Sequence, residues 1–276
     1  MTNARTIDTG TEDLLARVED RVAILTMNRP QRRNALSSAM LEGLARALRE
    51  AESAVDVGCV VLTGAGGAFC AGGDVKAMNE GPPAGVEAEG LDAMIHRQRL
   101  SQRETAGRLY EMPKPTIAAI AGAAAGAGLS LALACDLRVA SQKALLTTAF
   151  ARVGFSGDYG GTFFLTQLIG SAKARELYYL SERIAAAEAE RLGLVNRVWP
   201  ESVFVEKTLE LARRLASGPT VAYRYMKENL NRAVGGNLTE CLDLEATHHI
   251  HTGLTEDHRE AARAFVEKTE PVFKGR

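Results

Sequence analysis

Two short segments dominated by glycine and alanine constrain this chain more than anything else in it: residues 64–74 (GAGGAFCAGGD) and 122–130 (GAAAGAGLS). Each follows a short apolar run, at 59–62 and 115–120, and each precedes residues with helical spacing. A strand that runs into a small-residue turn and restarts as a helix is the building step of an α/β fold with a mainly parallel inner sheet. In the first turn of a helix the backbone N–H groups lack intrahelical partners, and the helix dipole favours negative charge there. Glycine and alanine let a ligand approach those groups closely. Two such turns side by side can aim two N–H donors at one oxygen, forming an oxyanion hole. Small residues also serve tight helix–sheet packing, and either loop alone fits that plainer role.

Other Gly-rich loops fit less well. A dinucleotide loop needs G-x-G-x-x-G after a strand and an acidic residue about 20 positions on. Gly126-Ala127-Gly128 meets Leu131 at the third glycine position, and Gly64-Ala65-Gly66 meets Phe69. After the second loop, residues 142–152 hold no acidic residue; after the first, Glu87 and Glu89 fall in a Gly/Pro-rich stretch. No G-K-[ST] occurs, so a P-loop is excluded.

Around these loops the pattern predicts strands at 14–18 and 22–27 with a turn at Glu19-Asp20, and a helix from Ser37 or Ser38 to about Ala54. Residues 80–90 (EGPPAGVEAEG) read as a surface loop, and 92–110 as a polar helix. The stretch 122–128 reads as a turn and 137–140 as a strand. Beyond 160 the chain is predicted mostly helical, at 160–169, 172–180, 186–192, 201–216, 219–233, 237–251 and 255–268, with a strand at 194–198. This divides the chain into a core over 12–200 and a helical region over 201–276 that serves packing, assembly and closure.

A net charge of −1 gives no general pull towards nucleic acid or an anionic membrane. The longest apolar stretch, 117–133, is broken by Gly122, Gly126 and Gly128 and reads as buried core, since a membrane span needs ~20 mainly apolar residues. The opening residues MTNARTIDTG carry no apolar secretory core, so a cytoplasmic location is expected. The four cysteines form no C-x-x-C and read as reduced thiols. His248, His249 and His251 stand at i, i+1 and i+3, a spacing that does not place three rings on one metal, so no metal site is expected.

The motifs together resemble the enoyl-CoA hydratase/isomerase (crotonase) superfamily. Met27-Asn28-Arg29-Pro30 with Arg33-Asn34-Ala35-Leu36, then AFCAGGD, GAAAGAGLSLALACDL, Gly160-Gly161-Thr162, RLGLVNRV and the terminal AFVEK…FKGR follow the family's order from about residue 12 onward. The resemblance implies a spiral of β-β-α units with a C-terminal helical region, and a homotrimer or dimer of trimers. It implies an acyl-CoA thioester substrate, with coenzyme A as part of that substrate and no separate cofactor. By position, the oxyanion donors are the backbone N–H groups of Gly73 and Ala127. Arg33, Ala35, Ala71, Lys76, Phe265 and Lys268 match positions that contact coenzyme A, the last two often from a neighbouring subunit.

Hydratases of the superfamily carry two glutamates, at positions that are Ser130 and Phe150 here. Water must be held and deprotonated during hydration and a proton delivered to C2, work that a serine and a phenyl ring are poorly suited to. Asp158, in Gly157-Asp158-Tyr159-Gly160-Gly161-Thr162, stands where certain isomerases of the superfamily carry aspartate, and the segment is similar to that of isomerases acting on ring-epoxide CoA thioesters. Asp158 also suits a turn or helix cap. Its aromatic sequence neighbours Phe155, Tyr159, Phe163 and Phe164 predict desolvation and a carboxyl raised from ~3.9.

Overall fold

The computed structural model describes residues 4–80 and 90–276. The loop expected over 80–90 thus falls, for 81–89, outside the described residues. The chain opens with β1 (Arg5–Thr6), β2 (Leu14–Glu19) and β3 (Val22–Met27), which form an antiparallel ladder. β2 alternates buried and exposed residues, so Leu14, Ala16 and Val18 face the core. The turn sits one residue later than its sequence signal. Asp20 (φ 51) and Arg21 (φ 63) are both left-handed, the backbone that matches a two-residue hairpin to strand twist.

Helix α1 (Ser38–Ser53) is capped by the Ser37 hydroxyl, which accepts the Met40 N–H at 3.0 Å. Then come β4 (Cys59–Gly64), α2 (Val75–Glu80), α3 (Leu91–Gln102), a π-helical turn over Arg103–Gly107, and α4 (Arg108–Glu111). Two β-β-α units follow: β5 (Thr116–Ile120), β6 (Ala123–Ala125) and α5 (Ala127–Leu133), then β7 (Leu137–Ser141), β8 (Leu145–Thr147) and α6 (Gly161–Leu180). Gly170 breaks α6 with φ 78 and ψ 159, which explains two separate helical patterns in the sequence. β9 (Ile184–Ala185), α7 (Ala186–Arg191), β10 (Arg197–Trp199), α8 (Glu201–Ala216), α9 (Thr220–Gly235), α10 (Leu238–Gly253) and α11 (Glu256–Glu267) complete the chain.

The larger sheet has the order β1-β2-β3-β4-β5-β7-β10 and is parallel from β3 to β10. The smaller sheet is β6-β8-β9. Each central unit therefore gives its first strand to the large sheet and its second to the small one, which makes the chain spiral. Both faces of the parallel strands are covered, as such sheets require. Leu25, Leu62, Met40, Leu44, Leu109 and Leu131 fill one side. Val22, Ile24, Val61, Ile117 and Val139 meet Phe204, Ala212 and Ala216 of α8 on the other.

Two further expected elements differ. The stretch 122–128 is not all turn, because Ala123–Ala125 pairs in parallel with β8. The strand expected at 194–198 starts only at Arg197. Leu194 and Val195 are buried but close the end of α7, their N–H groups turning back to the Ala189 carbonyl around left-handed Gly193. No helix among the described residues is long and apolar enough to cross a membrane.

Candidate active site

The two Gly/Ala loops meet. Asn34, fully buried, folds the first one: its amide donates to the carbonyls of Ala65, Ala68 and Phe69 at 2.9, 2.9 and 3.2 Å, and its oxygen accepts the Arg29 N–H at 3.0 Å. Cys70 then pairs with the second loop, donating to the Ala123 carbonyl at 3.0 Å and accepting the Ala125 N–H at 2.9 Å. The contact leaves no space for side chains. A Cβ on Gly128 would lie 2.5 Å from the Cys70 carbonyl oxygen, and one on Gly72 would lie 2.7 Å from the Ala125 oxygen and 3.5 Å from the Ala127 nitrogen. Gly73 follows directly, and Ala127 is the first residue of α5, 3% exposed. Among the described residues neither the Gly73 N–H nor the Ala127 N–H donates to a protein group. The neighbouring pairing uses other atoms, the Leu36 N–H reaching the Gly72 carbonyl at 2.8 Å.

Asp158 stands at the entrance to α6. The chain there runs through Gly157 (φ 114), Tyr159 (φ 49) and Gly160 (φ 75), and the Asp158 carbonyl accepts the Gly161 N–H at 3.1 Å. One carboxylate oxygen, Oδ1, is buried with no hydrogen-bond partner. Burial alone pushes the carboxyl up to about 6, because the charged form loses hydration that no protein group replaces.

The source of that burial differs in part from the sequence expectation. Tyr159 is buried, but Phe155 and Phe163 are exposed, and Phe163 and Phe164 pack around Tyr110 at 6.1 and 5.3 Å. The aromatic group that closes on the loop from outside is Tyr178 of α6. Its Cε1 lies 2.9 Å from where a Cβ on Gly157 would sit, and burial, then the Asp158 charge, raise its phenol above the usual range. Twenty residues separate it from Asp158, so local sequence reading gave no sign of it.

Tyr178 stacks on Phe150, whose Cε1 in turn lies 3.7 Å from the Cβ position of Gly126 beside Ala127. Ser130 is 2% exposed, its hydroxyl donates back to the Gly126 carbonyl at 3.3 Å, and its Oγ lies 2.3 Å from the Cβ position of Gly161. Phe150 and Ser130 thus present an aromatic wall and a small buried hydroxyl.

Arg33, Ala35, Ala71 and Lys76 gather along the first loop. The Arg33 carbonyl accepts the Ala71 N–H at 3.0 Å, and the Ala35 carbonyl accepts Arg29 Nη1 at 2.7 Å. Lys76 is exposed on α2, one turn beyond Gly73. Phe265 (85% exposed) and Lys268, the left-handed cap of α11, are not brought to this group by any described hydrogen bond or ion pair. Sequence reading missed Asp74, whose carboxylate takes Arg29 Nη2 at 3.0 Å and Arg32 Nη1 at 3.6 Å.

His248 is buried, shares a 2.6 Å hydrogen bond with Asn229 and packs on Tyr225. Among the described residues no group of three His, Cys, Asp or Glu side chains is placed to hold a metal.

Comparison with known proteins matches this geometry to a family. The sequence model of the family described as enoyl-CoA hydratase/isomerase matches residues 17–276. The chain is 35% identical to the 1,2-epoxyphenylacetyl-CoA isomerase of Escherichia coli (strain K12), over 96% of this chain and 99% of that protein. It is 34% identical to the short-chain-enoyl-CoA hydratase of Clostridium acetobutylicum, over 91% and 93%. A crystal structure of an enoyl-CoA hydratase from Polaromonas sp. JS666 superposes with a TM-score of 0.87 at 32% identity, covering 94% of this chain and 99% of that one. With the family's sequence matched almost from end to end and its spiral fold reproduced, this chain belongs to the enoyl-CoA hydratase/isomerase family.

Proposed function

We propose that the protein is an isomerase of CoA thioesters, moving a double bond in an enoyl-CoA chain or rearranging a ring-epoxide acyl-CoA, with no separate cofactor. The observation that carries this reading is the half-buried Asp158 with its Oδ1 buried and unpartnered, in a site where Phe150 and Ser130 stand at the positions the resemblance gives to the hydratase glutamates. The thioester carbonyl oxygen lies between the N–H groups of Gly73 and Ala127. Negative charge grows on that oxygen as a proton leaves the acyl chain, and the two donors stabilise the enolate. Asp158 takes the proton from one carbon and returns it to another. A carboxyl with a midpoint of about 6 suits both steps near neutral pH. One carboxylate suffices for that shuttle, whereas hydration must also activate a water against what is here an aromatic wall.

In the same reading Arg33, Ala35, Ala71 and Lys76 contact the nucleotide and pantetheine of coenzyme A. Phe265 and Lys268 complete that site from a neighbouring subunit of a trimer or dimer of trimers. Their exposure in the single chain supports this. The test is a panel of 2-enoyl, 3-enoyl, dienoyl and phenylacetyl-derived CoA thioesters followed by mass spectrometry and absorbance, in excess EDTA. Products of unchanged mass and altered absorbance are expected. Rapid gain of one water on a 2-enoyl-CoA would make the protein a hydratase, the activity named for the Clostridium relative.

A further inference from the structure

Tyr159 is an unusual residue to find where it is. It is 3% exposed, carries a bulky side chain, and has φ 49, in the left-handed region. Such a residue persists only when its surroundings over-determine it, and backbone of this kind gathers at functional sites. The surroundings that fix Tyr159 come mainly from one helix. Gln102 Oε1 accepts the Tyr159 N–H at 2.6 Å, and Ser101 Oγ and the phenol share a hydrogen bond of 3.1 Å. Ser101 and Gln102 are the last two residues of α3. Residues 91–100 of α3 are exposed, and at its last turn Ser101 and Gln102 hold Tyr159. The π-helical turn begins at the next residue. It adds a residue to the turn and so rotates the helix, and within it Thr105 and Ala106 become buried.

We infer that Gln102, Ser101 and Tyr159 form a latch that positions Asp158, so that the orientation of the carboxylate is set by α3 as well as by its own loop. Left-handed Tyr159 followed by left-handed Gly160 turns the chain between Asp158 and α6 and aims Oδ1 inward. A Tyr159 released to ordinary backbone angles swings Asp158 relative to α6 and returns its oxygen to water. The titratable groups that face the carboxylate are the phenols of Tyr159 and Tyr178, both neutral near pH 7, so position rather than a neighbouring charge governs it. The inference rests on the proposed acid/base role of Asp158 for its effect on turnover, but not for its effect on the carboxylate itself.

The test uses the full-length protein with 13C-labelled aspartate, following the Asp158 carboxyl by NMR titration alongside kcat, KM and CoA affinity. In Gln102→Ala the midpoint is expected to fall from about 6 towards the ordinary ~4. Its kcat should fall roughly ten- to a hundredfold, with KM and CoA affinity little changed. Tyr159→Phe, which keeps the ring and the N–H bond, should shift both in the same direction by less. Gln102→Glu keeps the accepting oxygen and should restore kcat while moving the midpoint up. A folded Gln102→Ala protein with the wild-type midpoint overturns the latch. A shifted midpoint with Asp158→Asn fully active leaves the latch standing and removes Asp158 from the chemistry.

Discussion

Phe150 and Tyr178 stack with ring centroids 5.8 Å apart and planes 12° apart, and the pair spans the site: Tyr178 touches the Asp158 loop at Gly157, and Phe150 touches the start of α5 at Gly126. Phe150 is 6% exposed, so Phe150→Ala removes a buried ring and should cost ~3–5 kcal/mol, read from the midpoint of chemical denaturation. The cavity also admits water beside Asp158. Under the proposed isomerase reading, isomerisation should fall and the hydrated fraction of product should rise, whereas Phe150→Leu should keep most of the wild-type partition. An unchanged ratio of hydrated to isomerised product in the alanine variant would mean that the wall does not exclude water from the reaction.

Arg29 links the two roles proposed for the first loop. It binds Asp74, the residue after Gly73, at 3.0 Å, and donates to the Ala35 carbonyl at 2.7 Å. The pair is largely buried, so breaking it should destabilise the protein by on the order of 3 kcal/mol. Asp74→Ala should act mainly on kcat, because the displaced neighbour is Gly73. Arg29→Ala should lower kcat and also weaken CoA affinity, because the Ala35 carbonyl loses its donor as well. Calorimetry with CoA separates the two, and equal loss of CoA affinity in both variants would contradict this division.

The raised midpoint of Asp158 gives a stability signature opposite to that of a salt-bridged aspartate. Unfolded, the carboxyl ionises near ~3.9; folded, it is pushed up to about 6 by burial. Below about pH 4 both states are protonated and no penalty exists. Between the two midpoints the unfolded state releases its proton first, so the folded state loses ground as pH rises, and above about 6 the penalty is complete. Asp158→Asn should therefore be more stable than wild type at pH 8, with the gap closing as pH falls through 6 to 4. If Asp158 is the base, as proposed, turnover of the wild-type enzyme should rise through pH 6 as it ionises. Denaturation curves across pH that stay parallel for the two proteins would show that the carboxylate is not desolvated.

What the sequence revealed follows physical range. Alternation in residues 14–19, the unbroken apolar run from Cys59 to Leu62 and the Ser37 cap are local signals, and each produced its element. The loops were legible because crowding at Gly72 and Gly128 demands glycine whatever surrounds it. β6, β8 and β9 are two or three residues long, too short for a period of two to register. The π-helical turn was hidden because α3 has no apolar stripe before it whose phase could slip. Asp158 stood out by position, but Tyr178, Gln102 and the Arg29–Asp74 pair reach their partners from 20, 57 and 45 residues away, distances that only the fold closes.

Ala127 offers a direct test of a backbone donor. A backbone N–H cannot be deleted by changing a side chain, with one exception: proline has none. Proline is poorly tolerated inside helices but fits their first position, where its fixed φ suits the helix and its missing N–H would have had no intrahelical partner. Ala127 holds that position in α5, and among the described residues its N–H donates to no protein group. Ala127→Pro should therefore keep the helix while replacing the donor proposed to face the thioester oxygen with a ring methylene. Losing one such donor typically raises the barrier by ~2.7–4 kcal/mol, so kcat should fall by roughly 10²–10³. Far-UV circular dichroism and the thermal midpoint check that the fold survives. If it does and turnover is that of wild type, the Ala127 N–H is not an oxyanion donor, and the enolate must be held by Gly73 with some other group.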